Sequence, residues 1–321
     1  MRVMIAVVQI AVTMGCVQSA WTQSFPAKPL RVIVPFPPGD TADVLARLVA
    51  PRLSDRFAQP VLVENRAGAS GQIGLELAAR AAPDGYTYAI GGSTTIAVAP
   101  HTFKKIPYDG LKDFTPVAVL ATNYLAILVH PSTPFRSMKD LVSYARAQPG
   151  KLSIGTNGEG TFSHLTIEEL GFAAGFRFLH VPYKGAAQIT ADLLGGQIDG
   201  AIGGLTAYSA HVQSGRMRLL AFTNPTRLAQ FPDVPVVAES VPGFDSRGWF
   251  GVVAPAGVSR DIVLSMNRAF NDSMGSAEVR DTIASLGLVS VQQSPEAFAD
   301  LIRADFARFA KLVRNIKFQP Q

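Results

Sequence analysis

Short β-rich segments alternate with amphipathic helical patterns from Leu30 to the end of this chain, and this alternation constrains the fold more than any other feature. Runs such as VLVEN and TYAIGG have the composition of strands, whereas Ala42–Asp55 and Pro295–Asn315 have the spacing of helices. Alternation of this kind is typical of α/β proteins with mainly parallel central sheets. A chain of 321 residues with 48% hydrophobic residues is long enough to form two such domains with packed cores.

Two segments predict how the domains are connected. AVLATNYLAILVHP joins two strand-like pieces with no helix between them, and GWFGVVAPAGV is a long strand-like run. If both segments cross between domains, they form a two-strand hinge, and the hinge leaves a cleft in which a small ligand can bind. We therefore expect one lobe from residues 25–124 and 247–321, and a second lobe from residues 125–246.

The N-terminal segment has the pattern of a secretory signal. One charge, Arg2, precedes the apolar run VMIAVVQIAVTMG, which is too short for a comfortable membrane span. We interpret residues 1–24 as a signal peptide, which predicts a periplasmic protein. The single cysteine, Cys16, lies in Thr13–Cys16, which is similar to a lipoprotein signal without its usual leucine, so lipid anchoring is the second interpretation.

Charge and motifs argue against several classes of function. The formal net charge is +5, but the lysines and arginines are scattered and no basic run is interleaved with aromatic residues, which argues against nucleic-acid binding. The five histidines lack HExxH or similar spacing, and the sequence contains no GxSxG motif. We therefore expect no metal, no cofactor and no catalytic residue.

The segment Arg31–Arg47, RVIVPFPPGDTADVLAR, predicts a strand, a tight turn and a helix. Such a turn presents free backbone N–H groups at the positive end of a helix dipole, which form a small-anion pocket without lysine or arginine. Gly39 allows the bend, and Asp40 or Thr41 can cap the helix. Taken alone, the segment is equally typical of a strand-to-helix turn that binds nothing.

Other predicted strand ends carry similar turns. Gly155–His164 contains three glycines, Tyr183–Ala187 opens a further helix, and Asn65–Gly71 and Gly91–Thr94 are loops of small residues. Ligands of open α/β sheets bind outside the carboxyl ends of strands, where these loops would lie. The glycine spacing matches neither a phosphate loop nor GxGxxG, so nucleotide binding is not indicated.

Several motifs in this order resemble the tripartite tricarboxylate transporter substrate-binding family, the Bordetella uptake gene (Bug) proteins. They are PFPPG, VENRAGASGQIG, PDGY, GTNGEGTFSHL, VPYKG, LLGGQIDG and Trp249 with APAG. The resemblance implies a periplasmic, monomeric receptor with the type II binding-protein fold, which closes two lobes over a small carboxylate-bearing solute. It also implies partners, namely the large and small membrane subunits of a permease that an ion gradient drives.

Carried over motif by motif, the resemblance implies which residues line the pocket. They lie in the first turn, in the small-residue loops, in the glycine-rich segment, in the turn of VPYKG, and in GGQID. The ligand-binding residues so implied are Phe36, Pro38, Gly39, Asp40, Thr41, Ser70, Ser93, Thr156, Gly158, Gly160, Thr161, Tyr183, Gly185, Ala186 and Asp199.

The chain departs from the family's pattern at Asp40, where the family usually has glycine. A carboxylate there repels an anionic group within a few ångströms unless it turns away as a helix cap, and Glu159 adds a second acid. One hypothesis is therefore a solute that carries an amino or amide group beside its carboxylate. The other is an ordinary organic acid, with both acidic side chains solvated.

Two other functions are compatible with the same residues. A two-lobed enzyme that acts on a carboxylate substrate would need an acid or base in the pocket, for which His164, Asp40 and Glu159 are the candidates. A ligand-sensing module for a membrane signalling system would use identical binding physics. We expect a receptor rather than an enzyme, because no catalytic pattern accompanies the predicted pocket.

Overall fold

A computed structural model describes residues 25–320, so the predicted signal segment and Cys16 lie outside the described residues. The strands are β1 (Leu30–Val34), β2 (Val61–Asn65), β3 (Thr87–Gly92), β4 (Phe114–Val129), β5 (Ser153–Thr156), β6 (Leu179–Pro182), β7 (Gly200–Gly204), β8 (Arg218–Phe222), β9 (Arg247–Pro255) and β10 (Leu288–Ser290). The α helices are α1 (Thr41–Phe57), α2 (Gln72–Ala79), α3 (Ala99–Thr102), α4 (Met138–Ala147), α5 (Phe162–Ala174), α6 (Ala186–Leu194), α7 (Ser209–Gln213), α8 (Arg260–Gly275), α9 (Ala277–Ser285) and α10 (Pro295–Asn315).

Two sheets share strand β4. The first sheet has the order β2-β1-β3-β9-β4-β10, and the second has the order β6-β5-β7-β4-β8. The pairs within β1, β2 and β3 and within β5, β6 and β7 are parallel, whereas every pair that involves β4 or β9 is antiparallel. The predicted α/β architecture is confirmed, but the sheets are mixed rather than mainly parallel, because β4 and β9 run back against the parallel strands.

Strand β4 runs through both sheets. It pairs with β9 as far as Tyr124 and with β7 from Leu125, so the two strands expected here form one strand of 16 residues. The chain returns from the second sheet to the first just before β9. There, Ser246 N–H donates to Thr223 O (3.1 Å) and Thr223 N–H donates to Leu125 O (3.0 Å). Strand β9 itself pairs only with β3 and β4 of the first sheet in the described part of the chain.

Helix α10 packs where the two sheets meet. Its Phe298 and Phe309 are fully buried in the same hydrophobic cluster as Trp249 and Phe162. The Phe309 ring lies edge-on to Phe162 (centroids 6.0 Å apart), and the Phe298 ring lies edge-on to Trp249 (5.1 Å). Burying a side chain of this size stabilises a fold by about 1.5–3 kcal/mol. The C-terminal helix therefore holds the start of α5 against the start of β9.

Candidate functional site

The first turn, Phe36–Thr41, links the carboxyl end of β1 to α1. It bends at Gly39, whose φ of 82° lies in the left-handed region. Asp40 is the N-cap of α1, and its Oδ1 accepts a hydrogen bond from Ala42 N (3.3 Å). The strand, turn and helix predicted for this segment are therefore all present.

Asp43 holds the first turn from behind. Its buried carboxylate accepts hydrogen bonds from Gly39 N (2.9 Å), Arg47 Nε (2.9 Å) and Asn65 Nδ2 (2.9 Å), and the Asn65 amide also donates to Phe36 O (3.0 Å). Burial by itself would raise the pKa of Asp43, but the hydrogen bonds from Arg47, Gly39 and Asn65 outweigh it, and the pKa lies below its ordinary value. The carboxylate therefore stays ionised and fixes the turn.

A π-helical segment, Ser93–Val98, follows β3 in the first sheet. Ser93 Oγ accepts a hydrogen bond from Trp249 N (3.0 Å), and Thr94 Oγ1 accepts one from Phe162 N (3.2 Å). Because both hydroxyls act as acceptors in these bonds, their protons can be donated to a ligand. Short π-helical turns are rare and occur frequently at functional sites.

The glycine loop, Thr156–Thr161, links β5 to α5. Thr161 is the N-cap of α5, and its Oγ1 accepts from His164 N (3.4 Å) and donates to Gly158 O (2.7 Å). Thr102 of α3 donates through Oγ1 to Gly160 O (2.8 Å), which joins the loop to the side of the molecule formed by the first sheet. The loop therefore places the N-terminus of α5 opposite the π-helical segment.

The turn between β6 and α6 faces the first turn. A Cβ atom on Gly185 would lie 3.6 Å from Pro37 Cγ, so the two turns nearly touch. Tyr183 donates through its hydroxyl to Asp192 Oδ2 (2.6 Å), which ties the tyrosine to α6. Helix α6 then begins at Ala186.

These turns enclose an inner cavity of about 60 Å³ between the two sheets. This volume exceeds the roughly 10–15 Å³ that a cavity needs to hold a water molecule, so the cavity has room for water or for one polar end of a small solute. Its lining residues are Phe36, Asp40, Thr41, Gly92, Ser93, Thr94, Asn123, Leu125, Asn157, Thr161, Phe162, Ser163, Ala186, Gly204, Ala207, Tyr208, Trp249 and Phe250.

An outer cavity of about 580 Å³ lies beside the inner one. It is bounded by the first turn on one side and by the start of α6 on the other. Its lining residues are Pro37, Pro38, Gly39, Asp40, Lys184, Gly185, Ala186, Ala187, Gln188, Thr190, Ala207 and His211. Asp40, Ala186 and Ala207 line both cavities and therefore mark the passage between them.

The structure brings most of the residues implied by the resemblance to one region. Phe36, Asp40, Thr41, Ser93, Thr161 and Ala186 line the inner cavity, and Pro38, Gly39 and Gly185 line the outer cavity. Ser70, Thr156, Gly158, Gly160 and Tyr183 line neither cavity. They belong to the turns that surround the cavities; a Cβ on Gly158, for example, would lie 3.4 Å from Ser70 Oγ.

Two acidic residues singled out from the sequence lie away from both cavities. Asp199 sits at the start of β7, and its Oδ2 accepts hydrogen bonds from Ser153 N (2.9 Å) and Ser153 Oγ (2.7 Å), at the opposite end of β5 from the glycine loop. Glu159 is exposed at the tip of that loop. Asp199 therefore ties two strands together, and Glu159 faces solvent.

Most inner-cavity residues were not among the predicted ligand-binding residues. Of those outside the predicted turns, Asn123 and Leu125 lie in the middle of β4, and Gly204, Ala207 and Tyr208 lie at or after the end of β7. A residue in the middle of a strand carries no local turn signal, so sequence reasoning had no means of finding the first two. The pair Gly203–Gly204 at the end of β7 is similar to the pair Gly91–Gly92 before Ser93. This similarity is the sequence signal that could have indicated Tyr208.

The inner cavity contains one acid and no basic side chain among the residues that the structure describes. Burial raises the pKa of the Asp40 carboxyl to about 6, although the N–H groups of Ala42 and Thr41 act against this rise. Burial, with a further contribution from the Asp40 carboxylate, also raises the pKa of Tyr208. Anionic ligand groups must therefore be held here by N–H and hydroxyl donors.

Two buried polar atoms of the inner cavity have no hydrogen-bond partner in the described part of the chain. They are Asn157 Oδ1 and the hydroxyl of Tyr208, a residue only 1% exposed. A buried polar atom without a partner costs about 1–3 kcal/mol, so native proteins rarely leave one unsatisfied. Both atoms therefore belong to residues at the inner cavity whose hydrogen-bonding capacity the described protein atoms leave unused.

Within residues 25–320, no helix has the length and apolar composition needed to cross a bilayer. In the same residues, no group of three or more histidine, cysteine, aspartate or glutamate side chains is placed to hold a metal ion.

Two α/β lobes that share a strand and enclose a cleft have the architecture of periplasmic binding proteins. A sequence model described as the tripartite tricarboxylate transporter family receptor matches residues 45–318, and this chain belongs to that family. Its members are periplasmic binding proteins, so this protein is a solute-binding receptor and not an enzyme. The family resemblance drawn from the motifs is confirmed.

Individual relatives agree with this assignment. Protein BugT of Bordetella pertussis is 35% identical over 97% of this chain and 97% of its own length. The structure of R. palustris Rpa4515 with adipate is 34% identical, with a TM-score of 0.88 over 92% of this chain and 100% of that one. The structure of MatC from Rhodopseudomonas palustris with bound malate is 29% identical, with a TM-score of 0.84 over 90% of this chain and 100% of that one.

Proposed function

We propose that this receptor captures a small carboxylate-bearing solute in the cleft and holds the carboxylate with backbone N–H groups and hydroxyls. The observation that carries this proposal is the convergence of three helix N-termini, those of α1, α5 and α6, on an inner cavity that has no basic side chain among the described residues. Helix N-termini stabilise anions through their free N–H groups and the helix dipole. The related structures with adipate and malate support a carboxylate as the bound group.

The two lobes consist of residues 25–124 with 247–321, and residues 125–246. The change of β4 partners between Tyr124 and Leu125 supports this division. Two hydrogen bonds bridge the lobes beside the inner cavity, from Phe162 N–H to Thr94 Oγ1 and from the Thr102 hydroxyl to Gly160 O. A solute that contacts both lobes adds to these bonds and shifts the population toward the closed arrangement.

The family suggests the partners of this receptor. A monomer exported with residues 1–24 as its signal would pass the solute to the membrane subunits of a tripartite carrier. Mass spectrometry of the protein from a periplasmic extract tests the export step. An N-terminus near residue 25 supports a cleaved signal, whereas a lipid on Cys16 supports the anchored alternative. Sedimentation of the purified protein tests the monomeric state.

Asp40 places a second requirement on the solute. Asp40, Asn157 and Tyr208 line the same cavity, and Asn157 Oδ1 and the Tyr208 hydroxyl have no partner in the described structure. The oxygens of Asp40 and Asn157 Oδ1 are acceptors that pair with an N–H or O–H donor, whereas the Tyr208 hydroxyl can also donate. An amino or amide group on the solute supplies that donor, whereas a second carboxylate would be repelled by the charge on Asp40.

Thermal-shift and calorimetric screens test both parts of the proposal. At about a hundredfold excess over Kd, a true ligand stabilises the protein by about 2.7 kcal/mol. Malate, adipate, amino acids, amides of dicarboxylic acids and pyridine carboxylates form the panel. If no carboxylate raises Tm, the proposal of a carboxylate receptor is wrong.

Asp40→Asn tests the donor requirement, because asparagine keeps a good helix N-cap and removes only the charge. We expect this variant to bind amino or amide acids about tenfold more weakly, which corresponds to about 1.4 kcal/mol, and to bind adipate more tightly than the wild type. Glu159→Gln, which removes the exposed acid of the glycine loop, is the matched control and should change neither affinity. Unchanged adipate affinity in Asp40→Asn would contradict the donor requirement and leave carboxylate capture standing.

A further inference from the structure

Two histidines stack behind the glycine loop, on the side away from the cavities. The rings of His164 on α5 and His180 on β6 lie 3.6 Å apart at an interplanar angle of 15°. His164 is 4% exposed, and neither ring lines the inner or the outer cavity. The pair therefore supports the loop without touching the solute site.

His164 holds one end of the glycine loop through an acceptor nitrogen. The Gly160 N–H donates to His164 Nδ1 (3.1 Å), so Nδ1 carries no proton and the ring is neutral. In this tautomer the ring proton is on Nε2. The His164 Nε2 atom lies 3.4 Å from Glu168 Oε1, whose negative charge stabilises that proton. A second proton, on Nδ1, would face the Gly160 N–H and remove the acceptor.

His180 holds the other end of the loop. Its Nε2 lies in a hydrogen bond of 2.7 Å with Thr156 Oγ1, and that oxygen also accepts from Gly158 N (3.4 Å). Burial, with the adjacent His164 ring as a second cause, lowers the pKa of His180 to about 3. Two stacked cationic rings would repel each other, so the stack favours a state in which at least one ring is neutral.

We infer that His164 and His180 are positioning residues that hold the glycine loop in its solute-binding form, His164 through the acceptor nitrogen that it offers to the Gly160 N–H and His180 through its hydrogen bond with Thr156. The groups in contact with His164 are the Glu168 carboxylate on its own helix, the His180 ring on β6 and the apolar ring of Phe318 near the C-terminus. The effect on affinity rests on the proposed function, whereas the state of the loop does not.

The loop is tested first, without any solute. In NMR spectra of protein labelled with ¹⁵N at about pH 7.5, His164 Nδ1 should carry no proton, because it accepts from the Gly160 N–H. The Gly160 amide signal should stay near its wild-type position in His164→Asn, whose side-chain oxygen can accept from Gly160, and should move in His164→Leu, which has no acceptor. A proton on Nδ1, or a Gly160 signal in the same place in all three proteins, would overturn the inference.

Calorimetry with adipate, or with the tightest ligand of the panel, then tests the consequence. At about pH 7.5 we expect His164→Asn, whose side-chain oxygen can accept from Gly160, to bind about as tightly as the wild type. His164→Leu, which has no acceptor, should bind about tenfold more weakly. His130→Asn, which removes a histidine far from both cavities, should follow the wild type. Equal affinities of His164→Leu and the wild type would refute the inference even if His164→Asn binds the solute well.

Discussion

The first turn and the glycine loop perform the same task with different supporting chemistry. Both place a helix N-terminus at the inner cavity, and both are fixed from behind by a side chain that accepts a hydrogen bond from a glycine N–H. Asp43 supports the first turn with an ionised carboxylate, and His164 supports the glycine loop with a neutral imidazole. The Asp43 carboxylate gathers three donors on one side chain, whereas the support of the glycine loop is divided between His164 and His180, so the comparison teaches that one substitution can release the first turn but only one end of the glycine loop.

Removing Asp43 should have the largest effect on stability. Asp43→Ala leaves the donors of Gly39, Arg47 and Asn65 without their shared acceptor, and we expect a loss of about 3 kcal/mol in the free energy of unfolding. Urea denaturation measures this loss. Asp300→Ala, which changes an exposed side chain of α10, is the control and should cost less than about 0.5 kcal/mol. A cost for Asp43→Ala as small as that of the control would show that the first turn does not depend on its carboxylate.

The pH dependence of stability should distinguish His180, which supports the glycine loop, from Asp40 in the first turn. His180 has a folded pKa of about 3, below its ordinary 6.5, so its contribution is complete above about pH 6.5 and is lost as pH falls toward 3. Asp40 has a folded pKa of about 6, above its ordinary 3.8, so its contribution is complete below about pH 3.8 and is lost as pH rises toward 6. Where these two pH ranges overlap, the His180 and Asp40 contributions to the free energy of unfolding change with pH in opposite directions, each by up to about 1.4 kcal/mol per pH unit.

Single variants reveal the two slopes. With Asp40→Asn, unfolding free energy should fall more steeply than in the wild type as pH drops from about 6 to 4, because the His180 slope is no longer offset. With His180→Asn the slope should change in the opposite direction. Asp43, whose pKa lies below its ordinary 3.8, should begin to contribute a slope only below about pH 5, at the acidic end of this window. Identical slopes in all three proteins would contradict the assignment of these groups.

Gly39 offers a test of the first turn that leaves every polar contact in place. Gly39 and Gly150 have φ values of 82° and 76°, and a Cβ on either would meet no atom within 4 Å. Alanine at either position should therefore cost about 1–2 kcal/mol of unfolding free energy through backbone strain alone. Only Gly39→Ala should also weaken solute binding in calorimetry. Equal binding by both variants would show that the bend at Gly39 does not position the N–H donors.

The bond between Thr102 and Gly160 should give the smallest effect. Thr102→Val removes the hydroxyl that donates to Gly160 O across the cleft, and we expect affinity to fall about fivefold, or about 1 kcal/mol, through a less favoured closed state. Thr282→Val, on exposed helix α9, is the matched control and should leave affinity unchanged. Small-angle scattering with saturating solute would show whether Thr102→Val closes less completely, and full closure with unchanged affinity would refute this role.

Local patterns predicted much of the fold, and the structure shows where they stop being sufficient. The helix at Pro295–Asn315 and the strands at Val61–Asn65 and Thr87–Gly92 lie where periodicity placed them. Sequence also predicted the first turn, because the Pro-Pro-Gly-Asp run contains both the bend and the helix cap. The antiparallel return of β4 and β9 was not predicted, since strand direction depends on pairing between residues more than a hundred positions apart.

The same limit applies to the site. Phe36, Asp40 and Thr161 could be named from turns and caps, whereas Asn123 and Leu125 lie in an ordinary strand and reach the cavity only because that strand spans both sheets. Asp199 was placed near the cleft through the family motif, and its carboxylate lies instead at the far end of β5. A motif gives the identity of a residue but not the end of the strand from which its side chain projects.

By itself, the sequence determined the alternation of strands and helices, the glycine-bearing strand ends and the helix caps, because each depends on contacts within a few residues. Only the tertiary structure decided that these ends meet at one cavity, that Asp40 is desolvated there, and that His164 and His180 stack behind the glycine loop. The physical reason is that burial, desolvation and ring stacking arise between segments distant in the chain, and their energies depend on distances that local sequence does not encode.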